Sequence, residues 1–188
     1  MSPLPRLSDT QSKVTNFVLF QLCWTLNVLM PGQLSALVTV AAVALHLLWI
    51  SQRALRELRF IVMAAFLGMV VDILWQNLGV LRFPDNQGYY AEGMIPVWLV
   101  AIWLIFATTV NHCLYWMRSW PRLTLLMAPF AGAFAYYSAA QIGAVEIGHG
   151  LWGLLALALG WLFLFPTFQR ISRWMESDEE PGYVEQRW

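Results

Sequence analysis

The chain has 188 residues, 59% of them hydrophobic and 12% charged, with a mean hydropathy of +0.57. An ordinary soluble domain carries about twice that share of charge, so the composition excludes a soluble globular protein and reads as a membrane protein. Eleven basic residues balance eleven acidic ones, which removes any bulk-charge argument for nucleic acid or for an acidic substrate.

A hydrocarbon core of about 30 Å, crossed at about 1.5 Å per residue, calls for about 20 apolar residues. Six stretches come near this, at 14–30, 34–50, 60–80, 95–117, 123–141 and 150–167. The reading is an all-α polytopic bundle of six transmembrane helices over 14–173. A cytoplasmic segment, 1–13, precedes it, and an acidic, flexible cytoplasmic tail, 174–188, follows.

The first stretch carries Asn16, Gln21 and Asn27 and ends in Met-Pro-Gly with no small-x-small cleavage site, so it reads as a helix and not as a signal peptide. Pro31 and Gly32 turn it into the second stretch. Both are short, and a re-entrant pair is the competing reading. In the second, Ser35, Thr39, Ala42, His46 and Trp49 fall on one helical stripe. In the third, Ala65, Gly68, Asp72, Trp75, Gln76 and Gly79 share a face. Small residues there admit a close neighbour, and Trp75 and Gln76 are in reach of the acid or of that neighbour.

Asp72 sits roughly 18 Å from the cytoplasmic end of its helix. A charged carboxylate at that depth costs at least about 2.5 kcal/mol, so it must face the bundle interior. The fourth stretch carries Trp98, Ala101, Ile105, Thr108, His112 and Tyr115 along one stripe, with Asn111 beside it. His46 and His112 fall at a similar cytoplasmic depth, with Gln21 near enough to join them in a polar site. By helix rise Asp72 is about 10 Å further out, which weakens an Asp72–His112 dyad and suits a polar path or two independent sites.

Between the last two stretches, Glu146 and His149 have the E-x-x-H spacing of di-iron bundles. The chain offers no second E-x-x-H, so they are only a weak candidate pair, and no metal or cofactor is expected. Cys23 and Cys113 lie in apolar runs without disulfide or zinc spacing. Protease, hydrolase, P-loop and dinucleotide-binding motifs are missing.

Ten of the eleven basic residues fall on one side of a six-span arrangement, leaving only Arg82 on the other. Basic residues near span ends stay cytoplasmic, so both termini are expected there. Trp49, Trp116, Trp120 and Trp174 gather near that edge, and Trp98, Trp152, Tyr89 and Tyr90 near the other, as an aromatic belt.

The segments FQLCW, VVDILWQNLGVLRF, PVWLVAIWLIFATTVNHCLYW and IGAVEI, in this order, resemble a family of small bacterial inner-membrane proteins catalogued only as a domain of unknown function. The resemblance covers about 17–173 and rests mainly on the D-x-x-W of Asp72 and the T-T-x-N-H of Thr108 to His112. It implies a bacterial, six-helix inner-membrane protein and an association with fatty-acyl or membrane-lipid modification, but no catalytic residues.

Three functions follow as expectations. In the first, the protein acts on or binds membrane lipid or fatty-acyl groups through an intramembrane polar site. Asp72 and His112 are then the catalytic candidates, and Gln76, Thr108, Asn111, His46 and Gln21 the substrate-binding ones. The second is a small proton-coupled transporter, and the third a structural or assembly subunit. Membrane lipids are the expected partners, with a further protein partner open and nucleic acid excluded.

Overall fold

A computed structural model of the protein describes residues 7–84 and 93–177. Tyr89, Tyr90 and the acidic tail beyond 177 lie outside the described residues. Among those described, six helices form one all-α bundle: α1 (Asp9–Leu29), α2 (Gln33–Trp49), α3 (Ala54–Asn77), α4 (Val97–Asn111), α5 (Pro121–Ile142) and α6 (Leu151–Ser177). A 3₁₀ turn follows α4 over Tyr115–Ser119. At the opposite end, two short strands, β1 (Leu81–Arg82) and β2 (Glu146–Ile147), pair antiparallel with Leu81 opposite Ile147.

Local chemistry sets several of these boundaries. Ser8 and Gln11 close a reciprocal capping box at the start of α1, each side chain accepting from the other's backbone N–H. Pro121 opens α5, where a missing N–H costs nothing, and Gly143 closes it in the left-handed conformation at φ 87°. The Thr108 and Thr109 hydroxyls back-bond to the Ile105 and Phe106 carbonyls. The next turn is wide, with the Leu114 N–H reaching the Thr109 carbonyl, so α4 stops at Asn111.

Helices α3, α5 and α6, of 24, 22 and 27 residues, are long and apolar enough to cross a membrane, and α2 and α4 are shorter apolar helices. The outer surface agrees, because large side chains such as Leu34, Leu48, Phe66, Phe130 and Phe163 are exposed along it. Apolar area on that scale marks a surface covered by lipid or by protein, and on helices of this length and apolarity it fits lipid. The chain is a multi-pass membrane protein, with three of the six expected spans meeting that measure of length and apolarity.

The central helix is α4, which touches α1, α2, α3 and α6, while α5 pairs chiefly with α6. Its Trp103 stacks on Trp161 of α6, with ring centroids 5.4 Å apart. A glycine closes each side of the stack. A Cβ at Gly68 of α3 would lie 2.3 Å from the Trp103 ring, and one at Gly132 of α5 would lie 2.1 Å from Trp161. Four helices thus lock through two indoles and two missing side chains, a packing worth about 0.5–1.5 kcal/mol beyond the area the rings bury.

One expectation for the belt fails. Trp98 is only 2% exposed and packs edge-on against Phe83, because the α4 stripe that holds it faces the interior. Trp49, Trp116, Trp120, Trp152 and Trp174 are exposed.

Candidate functional site

The last turn of α2, the first turn of α3 and the residue after α4 meet at the basic end of the bundle. His46 Nε2 lies 2.7 Å from Glu57 Oε1, and His112 Nε2 lies 2.8 Å from the same oxygen. The two imidazoles stand edge to face with centroids 4.7 Å apart. His46 and Glu57 are buried and His112 half-buried.

Neighbours fix the hydrogen-bond roles of this cluster. The Thr108 hydroxyl donates to the Ile105 carbonyl, so it accepts from Asn16 Nδ2 at 2.8 Å. That orients the Asn16 amide, whose nitrogen also faces His46 Nδ1 at 3.4 Å and whose oxygen accepts from the Cys113 N–H. His46 therefore accepts at Nδ1 and donates from Nε2 to Glu57. Full satisfaction of this kind is what makes so polar a cluster tolerable in the interior.

Glu57 and His112 border an open cavity of about 630 Å³, which Arg53, Arg56, Asn111 and Arg173 also line. Beside it, Arg118 holds Glu176 through both carboxylate oxygens at 2.9 Å and donates to Asn111 and Ser172. The guanidinium lies 4.4 Å over the Tyr115 ring. Asn111, a substrate-binding candidate, is thereby engaged in a knot that ties the end of α4 to α6.

Asp72 is 1% exposed and accepts from Trp103 Nε1 and from the Tyr136 hydroxyl, each at 2.6 Å. Its partners come from α4 and α5, and Gln76 is not among them; the Gln76 Oε1 is buried without a hydrogen-bond partner among the described residues. On α3, the face between Asp72 and Glu57 consists of Phe60, Ile61, Ala64, Ala65 and Gly68, all buried. Of the two arrangements that the sequence left open, this face matches two independent sites.

A second cavity, of about 570 Å³, runs beside α4 as a groove among α1, α4, α5 and α6. Trp24, Ile102, Phe106, Ala131 and Phe165 line it, with the rings of Trp103 and Tyr136 in its wall. Gln21, expected near the histidines, is exposed and lines this groove instead. Groove and polar cavity share one border, the segment from Asn111 to Met117. Leu114, Trp116 and Met117 face the groove, and Asn111, His112 and Tyr115 face the cavity.

Glu146 and His149 lie at the other end, both exposed. Glu146 belongs to β2, while His149, at φ 59°, hydrogen-bonds the Leu78 carbonyl through Nε2. Among the described residues they belong to no group of three metal-ligating side chains. Among the described residues, the group of three ionisable side chains close enough to share one ligand is His46, Glu57 and His112.

Glu57, Asn16, Trp103 and Tyr136 were not anticipated as site residues. Glu57 carried a signal, because 57, 61, 64, 68 and 72 continue the Asp72 stripe back by helical spacing, but its basic neighbours made the segment read as a connector. Asn16 stood out as a polar residue in an apolar run. No single-helix pattern marks Trp103 or Tyr136, whose roles depend on which helices pack together.

No curated protein and no solved structure matches the chain. Over residues 13–167 its sequence matches the family described as "Protein of unknown function (DUF2878)". That stretch takes in the Thr108-Thr109-x-Asn111-His112 motif, two of whose members stand in the polar cluster, and Asp72. With the match running over most of its length, the chain belongs to this family.

Proposed function

We propose that the protein binds a membrane lipid, lodging one acyl chain in the groove beside α4 and bringing the head-group end to the His46–Glu57–His112 cluster. In this reading all six helices cross a bacterial inner membrane with both termini cytoplasmic, which is where the basic residues are expected. The groove is the observation that carries it. Its volume of about 570 Å³ falls in the range of about 300–1,000 Å³ usual for ligand sites. Trp98 and Met117 both line it, and the helical part of that stretch alone rises about 20 Å, more than the roughly 15 Å that one leaflet's acyl chains occupy.

The polar cluster supplies acid–base capacity at the head-group end. Glu57 holds His112 through Nε2, an arrangement that orients an imidazole for proton transfer at its other nitrogen. Arg53, Arg56 and Arg173 border the same cavity and suit an anionic head group. A proton-coupled carrier is supported less well, because the α3 face between Glu57 and Asp72 holds no polar side chain.

Comparative lipid mass spectrometry tests the reading. A deletion strain is complemented with wild type, Glu57→Gln, His112→Ala or Asp72→Asn. A lipid species should change on deletion and return with wild type and Asp72→Asn but not with the two cluster variants. An unchanged lipidome with every variant inserted contradicts the reading.

A further inference from the structure

We infer that His46, Glu57 and His112 form a binding site for a divalent transition-metal ion. The sequence alone pointed to no metal, since these residues come from three separated segments and share no spacing motif. Folding brings one ligand atom from each to within 4.8 Å of the others. Two imidazole nitrogens and one carboxylate oxygen are the donors that zinc and neighbouring first-row ions prefer, whereas magnesium and calcium favour all-oxygen shells. Three protein ligands leave a fourth position open, as at catalytic zinc sites. That position faces the cavity, because Glu57 and His112 border it.

In the structure both histidines hydrogen-bond to one Glu57 oxygen. Around a tetrahedral ion with bonds of about 2.0–2.2 Å, neighbouring donors stand roughly 3.3–3.5 Å apart. Nε2 of each histidine must therefore draw back from Glu57 Oε1 by about half an ångström, from 2.7 and 2.8 Å. Glu57 sits in the first turn of its helix at the cavity edge, where a carboxylate can turn without opening the core.

Protons balance within the cluster. Each Nε2 exchanges its N–H for a metal bond, and the proton moves to Nδ1 of the same ring. For His46 this requires an acceptor in place of the Asn16 Nδ2 that now faces Nδ1. Turning the amide over presents its oxygen, and the Thr108 hydroxyl swings from the Ile105 carbonyl to the same oxygen. The cost includes the long 3.4 Å bond from the Cys113 N–H. An outer partner that fixes the imidazole tautomer is the usual companion of a metal-bound histidine, and Asn16 is placed to serve both states. Glu57 brings one negative charge against two positive, so the occupied site remains positive and selects hydroxide or an anionic oxygen for its open position.

The test uses the full chain in detergent, stripped with chelator, reloaded with Zn²⁺ alone and washed, with metal counted by mass spectrometry. Wild type should retain one ion per chain, and Co²⁺ in its place should give the visible absorption of a tetrahedral site. His46→Ala, His112→Ala and Glu57→Gln should each weaken binding by at least about tenfold, and Asn16→Ala by about tenfold through the outer shell. Glu146→Gln and His149→Ala should bind as wild type does. Wild-type protein that retains no ion overturns the inference even if the variants misfold, and so does full retention by well-folded cluster variants. Because the measurement needs no lipid, its failure leaves the lipid reading standing, and a positive result survives failure of that reading.

Discussion

Asp72 is where packing and chemistry can be separated by one atom. Its two oxygens each take one donor, Oδ2 the Trp103 indole N–H and Oδ1 the Tyr136 hydroxyl. Asparagine keeps the shape but replaces one acceptor with a donor. The indole can only donate, so the amide oxygen must face Trp103, and the amide nitrogen then faces Tyr136. A phenol hydroxyl rotates and accepts, so both contacts survive, but its own proton loses its acceptor, and Asp72→Asn should cost about 1–3 kcal/mol, one stranded donor instead of two. Leucine has the same branching at Cγ but no acceptor, and its methyl groups are bulkier than the oxygens they replace. Asp72→Leu strands two buried donors at about 1–3 kcal/mol each, roughly 2–6 kcal/mol together. Unfolding by added SDS in mixed micelles, followed by far-ultraviolet circular dichroism, measures both differences. If the asparagine variant loses as much as the leucine one, the carboxylate itself is required and hydrogen-bond satisfaction does not explain Asp72.

Gly68→Ala should destabilise despite the gain of about 1 kcal/mol from helix propensity. The new Cβ, 2.3 Å from the Trp103 ring, pushes that ring into Trp161 and its N–H off Asp72, at about 1–3 kcal/mol for overpacking alone; an unchanged SDS midpoint would refute the glycine–indole lock. Gly148→Ala sets a Cβ 2.0 Å from the Gly79 carbonyl oxygen, where only backbone can yield. Hydrogen exchange at β1 and β2 should accelerate while the α4 core stays protected, and unchanged strand protection would contradict the close approach. Arg118→Lys removes the fork that holds Glu176 through Nη1 and Asn111 and Ser172 through Nη2, which a lysine cannot reproduce. Amide exchange over the last turns of α6 should rise, and an unaltered rate would show that the knot does not hold them.

The membrane class was legible from composition, and the inward faces of α2, α3 and α4 from helical spacing: Ser35, Thr39 and His46, then Gly68 and Asp72, then Trp98 and Thr108, are all buried. Periodicity tells which side of a helix is inside. It does not tell which helix lies opposite. Asp72 was therefore recognised as interior while its partners on α4 and α5 were not, and the Oε1 of Gln76, adjacent by spacing, has no partner among the described residues. Gln21 and Asn16 show the same limit within one helix. Both are polar in an apolar run, but Asn16 turns toward His46 and Gln21 toward the groove. Glu57 was hidden by its neighbours Arg53, Arg56 and Arg59, which made a charged connector of what is the first turn of α3.

The most direct measurement of the central claim is native mass spectrometry of the protein released from mild detergent, wild type beside Ala131→Trp. Ala131 lines the groove from α5 and is otherwise exposed, so an indole there fills the groove without touching the core. Wild type should carry one retained lipid per chain, and the variant, eluting and unfolding like wild type, should carry none. A wild-type protein free of lipid, or a variant that keeps as much, would contradict an acyl chain in that groove.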